Sequence, residues 1–419
     1  MKNKTSIRLE FPYLYIITVF FLTFNAVKYW PIPGAITLAS GIGIVMPFFI
    51  CRSFFKTNQF GLFMFYALIV LLNFMFGDKY FGNSNSLFLG FVGFFVSMSM
   101  TYYVFKNREY NLMRVIFYTL MIVLLWTTLA TAYFDMTMPG VVRYAYGQQQ
   151  LRTSEVGMFN SMFFWGMSSY ALPHSLPILI PAFMLGLRNS SLTKKARVFS
   201  GIMAMCCLML VYFSGATGPM LVSIMVLFMS LLIRKGRTSS NIIKLVVVML
   251  ILLPFILSDE LLLAALEWVD GLLGGEGYFH YKVEDFQDSI LYGSTGDVEE
   301  RQSLYGNSLE VLFENPLNFL IGAQEGLGGH SALLDRFTSL GLLGFVPLIC
   351  LFVAQFKYAI KHLPSEYLSY YYLGLFAAFM MLASKNISGW NMWFLLFTAL
   401  PFCIYFFSDT DDSLTRRQL

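Results

Sequence analysis

The chain has 419 residues, of which 57% are hydrophobic and only 12% carry a charge. Soluble domains carry a charge on about a quarter of their residues, so composition excludes an ordinary soluble protein and indicates an integral membrane protein. The net charge of +4 is spread along the chain rather than gathered on one aqueous face, which argues against a nucleic-acid-binding protein.

Twelve segments are apolar over the length that a membrane span requires, about 17 to 25 residues. We expect each to be a helix, because lipid offers backbone groups no hydrogen-bond partners. The predicted spans cover 11–29, 32–50, 60–77, 86–105, 112–134, 166–187, 196–214, 216–233, 240–258, 331–356, 366–384 and 388–407. Nine therefore lie within 1–258, and three lie with a short tail within 331–419. Pro173, Pro177 and Pro181 should break or kink the sixth helix.

Basic residues indicate how these spans are oriented. With the N-terminus in the cytoplasm and the loops assigned alternately, 20 of the 28 lysines and arginines fall on the cytoplasmic side. Cytoplasmic loops of membrane proteins carry such an excess. The sequence therefore predicts an even number of spans, with both termini in the cytoplasm.

The outer loop over 135–156, "DMTMPGVVRYAYGQQQLRTSEV", carries Arg143 and Arg152. Both run against the charge bias, because basic residues are scarce on the outer side. A guanidinium group matches phosphate oxygens in a bidentate geometry. The two arginines are therefore candidates for holding a phosphate, and a surface ion pair is the other interpretation of each.

The second long outer segment, 259–330, holds 14 of the 24 acidic residues. Solubility explains this acidity without a specific function. The stretch 261–273 is predicted to be an amphipathic helix at the membrane surface, with Trp268 at headgroup level. A long ordered loop in a compact protein usually has a function.

A further helix is predicted over 296–316, with Pro316 ending it. At helical spacing Arg301, Tyr305, Ser308 and Leu312 share one face. This pattern places Arg301 above the membrane beside an aromatic ring, and a pair with a neighbouring glutamate is the alternative.

His330 stands where this loop meets the next apolar segment, directly after Gly328 and Gly329. Histidine takes and releases a proton near neutral pH without special tuning, so His330 is a candidate general base. A simple helix-end residue is the other interpretation. The five cysteines fall in or beside the predicted spans without the spacing of ligands, so we expect no metal and no cofactor.

The order of these segments resembles the family of Wzy-type O-antigen and polysaccharide polymerases and the related O-antigen ligases. An outer arginine loop is followed by "RTSEVGMFN", which ends at Asn160, and by the turn "SGATGP". The large loop then ends "NPLNFLIGAQEGLGGHS", and "LGLLG" follows. The residues that match the family pattern are Arg301, Asn315–Pro316, Gly322, His330–Ser331 and Gly341–Gly344. Two positions depart from it, since the turn at 214–217 lacks an arginine and Ser331 stands where the family often has asparagine.

The resemblance implies a GT-C-like glycosyltransferase in a bacterial inner membrane, of the kind that builds lipopolysaccharide or capsule. Its donor would be a growing glycan on undecaprenyl pyrophosphate, and its acceptor a single lipid-linked repeat unit at the periplasmic face. The family is expected to invert the anomeric carbon without a metal. His330 and Arg301 would be catalytic, and Arg143, Arg152, Arg301, Tyr305 and Asn160 would contact the pyrophosphate or the glycan. A chain-length-regulating co-polymerase is a possible partner beside the bilayer.

Three alternatives stay open at this point. A ligase that moves a finished glycan onto lipid A-core or protein would carry the same motifs. A lipid-linked oligosaccharide flippase would be expected to show internal repeats and charges at mid-membrane, whereas the sequence shows no clear repeat and such charges are nearly absent. An acyltransferase using a histidine would need an acyl donor site on the cytoplasmic side.

Overall fold

The computed structural model describes residues 11–76, 84–138, 140–142, 153–237, 240–241, 296–323, 327, 331–385 and 389–408, with eleven separate positions between 263 and 287. This part of the chain is helical throughout and contains no strand. Its main α-helices are α1 (Leu14–Thr23), α2 (Ala35–Ile50), α3 (Asn58–Phe76), α4 (Ser84–Asn107), α5 (Tyr110–Thr137), α6 (Thr153–Phe164), α7 (Ala171–Ser175), α8 (Ile180–Arg188), α9 (Lys194–Phe213), α10 (Thr217–Leu232), α11 (Gly296–Glu314), α12 (Pro316–Ile321), α13 (Ala332–His362), α14 (Leu368–Ser384), α15 (Trp390–Phe394) and α16 (Leu400–Phe407).

Several of these helices are long and apolar enough to cross a membrane. Five meet that test within the described residues, and a sixth does so if α7 and α8 form one broken span. The two halves of that span meet at 44°, which confirms the break predicted from the three prolines. The structure thus supports a helical membrane protein, and the number of twelve spans stays a prediction.

One predicted boundary is wrong, and the helix predicted to stop before Pro316 is confirmed. The first predicted span, 11–29, ends its α-helix at Thr23 and continues as a 3-10 turn over Asn25–Tyr29. The helix predicted over 296–316 ends at Glu314, because Asn315 is extended and its side chain caps α12. Pro316 occupies the first turn of α12, where its missing N–H costs nothing.

Polar contacts join the helices at two opposite ends of the bundle. At one end, which we call the basic end, Nδ2 of Asn189 donates to Phe407 O at 2.8 Å and Nδ2 of Asn241 donates to Ser369 Oγ at 2.9 Å. At the other end, Ala332 N donates to Lys385 O at 3.1 Å. Lys106, Arg188 and Lys235 lie at the basic end. All three belong to loops that the charge bias assigns to the cytoplasm. Which side of a membrane each end faces stays a prediction.

The stretch Trp390–Phe407 is the most enclosed span, since nearly all of its residues are buried. A helix that is apolar all round belongs in the interior of a bundle. A π-helical turn over Leu395–Ala399 interrupts it. Thr101 on α4 donates to Phe397 O at 2.8 Å, and Thr398 donates back to Ser97 O at 3.0 Å. These two contacts tie the central span to α4.

Helix α13 is two helices joined at Gly341, whose φ of 58° and ψ of −168° suit glycine alone. The kink frees backbone carbonyls, and neighbouring segments supply their donors. Nδ2 of Asn73 donates to Ser339 O at 2.8 Å, and Ala323 N donates to Thr338 O at 2.8 Å. Gly322 lies so close that a Cβ there would be 2.2 Å from Ser339 O. The glycines singled out in the sequence therefore allow the backbone after α12 to lie against the backbone of α13.

Candidate functional site

Ser331, the residue after His330, precedes α13 and makes two hydrogen bonds at the start of this helix. Ser331 is the N-cap, and its Oγ accepts from Leu334 N at 3.1 Å. Its own N–H donates to Asp335 Oδ2 at 3.1 Å. This reciprocal arrangement is a variant of the capping box. It fixes the backbone directly beside the position of His330.

Asp335 is an acidic side chain that is only 4% exposed in the first turn of α13. The hydroxyl of Ser308 on α11 donates to its Oδ1 at 3.0 Å. Thr338 Oγ1 in turn donates to Ser308 O at 3.1 Å. Carboxylates are rare in membrane helices because their burial is costly, and they usually mark a function. Asp335 here joins the start of α13 to the helix that carries Arg301.

The helix face of α11 that carries Tyr305, Ser308 and Leu312 packs against the rest of the protein. Ser308 and Leu312 are fully buried, and Tyr305 is half-buried. The hydroxyl of Tyr305 donates to Ser384 O at 3.2 Å, which places α11 against the end of α14. Arg301 stands one turn before Tyr305 on this helix, and its side chain lies outside the described residues.

Lys385 follows α14 and brings a third segment to the same place. Its carbonyl accepts from Ala332 N at 3.1 Å, and a Cβ at Gly218 would lie 3.5 Å from its Cε. The turn before Gly218 is closed by the Ser214 hydroxyl, which donates to Val211 O at 2.6 Å. The turn "SGATGP", the end of α14 and the start of α13 therefore meet at this end of the bundle.

Arg336 supplies a second described cation near the start of α13. One of its guanidinium nitrogens donates to the hydroxyl of Tyr66 on α3. Arg336, Lys385 and Asp335 were not among the site residues predicted from the sequence. Asp335 is the one acidic residue in the apolar segment 331–356, and this feature could have indicated its role.

The remaining predicted site residues have different positions. Arg143, Arg152 and His330 lie outside the described residues. Asn160 is exposed on α6, a helix that packs on the 25–29 turn through Tyr29 and Phe163, whose rings stack at 5.0 Å. The structure thus brings Tyr305 to the start of α13 and places Asn160 on a separate helix at the same end.

The segment 259–330 contains a second histidine, His280. Nδ1 of His280 lies 2.9 Å from Asp270 Oδ2, and its Nε2 is 4.0 Å from Glu284 Oε2. A carboxylate bonded to one ring nitrogen fixes the orientation of an imidazole. Trp268, two residues before Asp270, is 67% exposed, and its position at headgroup level stays a prediction.

Within the part of the chain that the structure describes, histidine, cysteine, aspartate and glutamate side chains form no cluster of three suited to a metal ion. The metal-independent reaction stays a prediction. The chain matches no protein-family model, no curated protein and no solved structure.

Proposed function

We propose that the chain is a polymerase of lipid-linked oligosaccharide repeat units. It would transfer the growing glycan from undecaprenyl pyrophosphate to the non-reducing end of a new lipid-linked unit, at the periplasmic face of a bacterial inner membrane. The reaction would be inverting and independent of metal, on a GT-C-like fold with twelve spans. Lipid-linked glycans and the bilayer are its partners, and a co-polymerase would regulate chain length.

One observation supports this proposal most directly. Segments that carry the family-like motifs are far apart in the sequence and yet adjacent at one end of the bundle. They are the turn before Gly218, the face of α11 with Tyr305 and Ser308, and the start of α13 at Ser331. This end lies opposite the basic end. If the basic end faces the cytoplasm, these segments would reach a substrate in the outer leaflet.

The chemistry of the proposed transfer needs a base and a stabilised leaving group. A hydroxyl oxygen of the acceptor sugar bonds to the anomeric carbon of the donor, and His330 takes the proton of that hydroxyl. The bond from the anomeric carbon to the pyrophosphate oxygen breaks, and its electron pair leaves with the lipid pyrophosphate. Arg301, with Arg143 and Arg152, would neutralise the negative charge that the pyrophosphate gains. Ser331 and Asp335 would hold the backbone next to the base.

A complementation experiment tests the proposal. A strain that lacks this gene receives the wild-type chain, His330→Ala or Arg301→Ala at matched expression, and the surface glycan is read as a ladder on a gel. Arg237→Ala removes an exposed arginine at the basic end and serves as the control with a normal ladder. We expect glycans arrested at one repeat unit with either site variant.

Other ladders would contradict the proposal in different ways. Loss of surface-attached glycan while long lipid-linked polymer accumulates would identify a ligase. Repeat units retained on the cytoplasmic side would identify a flippase. A normal ladder with both site variants would remove His330 and Arg301 from the mechanism, and His280→Ala would then test the histidine that Asp270 orients.

A further inference from the structure

The last part of the outer loop runs alongside a membrane span rather than above it. Ala323 N donates to Thr338 O, and Gly322 contacts the backbone of Gly341. Gly341 stands nine residues after Ala332, which corresponds to about 13 Å along a helix at 1.5 Å per residue. The chain around Gly322 therefore reaches well below the start of α13.

A line of contacting aromatic rings connects α11, α12 and α13. Phe313 on α11 stacks on Phe319 on α12, with ring centroids 5.8 Å apart. Phe319 contacts Phe337 at 5.6 Å, and Phe337 stacks on Phe345 at 4.9 Å. Phe337 and Phe345 lie on opposite sides of the kink in α13, so α12 is packed along the span past its upper segment.

One exposed strip of α11 and the exposed side of α12 are apolar, and Glu310 and Glu314 are exposed on the neighbouring side of α11. Phe313 is 66% exposed and Leu317 is 61% exposed, and none of the residues of α12 is buried. Further apolar side chains extend this face along the helices and onto the lower part of α13: Leu309, Leu320, Ile321, Leu343 and Val346. An apolar patch of this kind on an aqueous loop would be unfavourable in water.

Several polar groups at the turn between these helices are bonded within the protein. Asn315 Oδ1 accepts from Asn318 N at 2.9 Å, and Nδ2 of Asn318 donates to Val311 O at 2.8 Å. Gly322 N donates to Asn318 O at 2.8 Å. These bonds lower the cost of placing the turn at membrane depth, where lipid offers backbone groups no hydrogen-bond partners.

We propose that residues 309–323 form a re-entrant helical hairpin in the outer leaflet of the bilayer, with the exposed carboxylates of Glu310 and Glu314 turned away from the acyl chains. Its exposed apolar face contacts the acyl chains of the lipids. The aqueous part of the outer loop then ends on α11 rather than at residue 330. Arg301 stands eight residues before Leu309, about 12 Å along the helix, at the level of the lipid phosphates. The inference is independent of the proposed function.

Cysteine accessibility tests the hairpin in the full-length protein. Leu317→Cys, Phe313→Cys and Asn307→Cys are made in a Cys350→Ser background, because Cys350 is the exposed cysteine among the described residues. Each is reacted with a membrane-impermeant maleimide in phosphatidylcholine proteoliposomes. Asn307 is exposed on the polar part of α11 and is the matched control. We expect the cysteines at 313 and 317 to react at least about tenfold more slowly, because hydrocarbon holds no water to ionise a thiol.

A second measurement identifies what covers the face and does not depend on thiol chemistry. Leu317→Trp is placed in vesicles of phosphatidylcholine brominated on its acyl chains, and its fluorescence is compared with the wild-type chain. Quenching of the added tryptophan supports lipid contact. Labelling at 317 as fast as at 307 would overturn the proposal. Slow labelling without quenching would mean that protein, such as a second copy, covers the face, and would also overturn it.

Discussion

Replacing Gly341 with alanine should separate α12 from α13. A side chain in the backbone conformation of Gly341 costs about 1–3 kcal/mol. Its Cβ would also lie 2.5 Å from Gly322 N and from Leu320 C, and these are backbone atoms that cannot rotate away. The hairpin must move, and the bond from Ala323 N to Thr338 O is lost at about 1 kcal/mol. The total is about 2–4 kcal/mol, or roughly 30- to 1,000-fold in the folding equilibrium.

An unfolding titration of the purified chain in lipid–detergent micelles measures this effect. Gly61→Ala is the matched control, because Gly61 is helical on α3 and a Cβ there has no atom within 4 Å. Alanine is favoured over glycine inside a helix by up to about 1 kcal/mol, so the control should be unchanged or more stable. Equal stability of Gly341→Ala and the wild-type chain would refute the interlocked-glycine account of the kink.

Two further substitutions test the polar contacts around the site in the same titration. Ser308→Ala removes a donor to the buried carboxylate of Asp335 and should destabilise the chain by about 1.5–3 kcal/mol, whereas Asn307→Ala on the exposed side should stay within about 0.5 kcal/mol; equal effects would mean that Ser308 does not hold Asp335. Asn73→Leu leaves Ser339 O without its side-chain donor and should cost about 1–3 kcal/mol, with faster amide exchange in the upper segment of α13, and unchanged exchange there would contradict this role.

Periodicity and special residues predicted the parts of the fold that depend on local chemistry. Pro173, Pro177 and Pro181 lack a backbone donor, so the break in the sixth span follows from their positions alone. The shared face of Tyr305 and Ser308 follows from helical spacing, and both side chains pack inward.

The other parts depend on contacts between residues far apart in the chain. Gly341 was singled out as part of a motif, but its conformation exists only because Gly322 approaches it. Asp335 is a single acid in an apolar segment, and nothing in its neighbourhood indicates that Ser308, 27 residues earlier, reaches it. Asn73 belongs to a predicted span, and its partner Ser339 is 266 residues away. No spacing rule within one helix identifies such pairs.

The kink at Gly341 divides α13 into two segments, and the upper segment belongs structurally with the helices that precede it. The upper segment of α13 is tied to α11, α12 and α14 by Asp335, Thr338 and Ala332, and it meets the lower segment at one glycine. A chimaera joined at residue 330 would take Asp335 and its partner Ser308 from different parents. A chimaera joined at Gly341 would instead transplant the loop, the hairpin and the capped helix start as one piece and leave the lower segment of α13 in place.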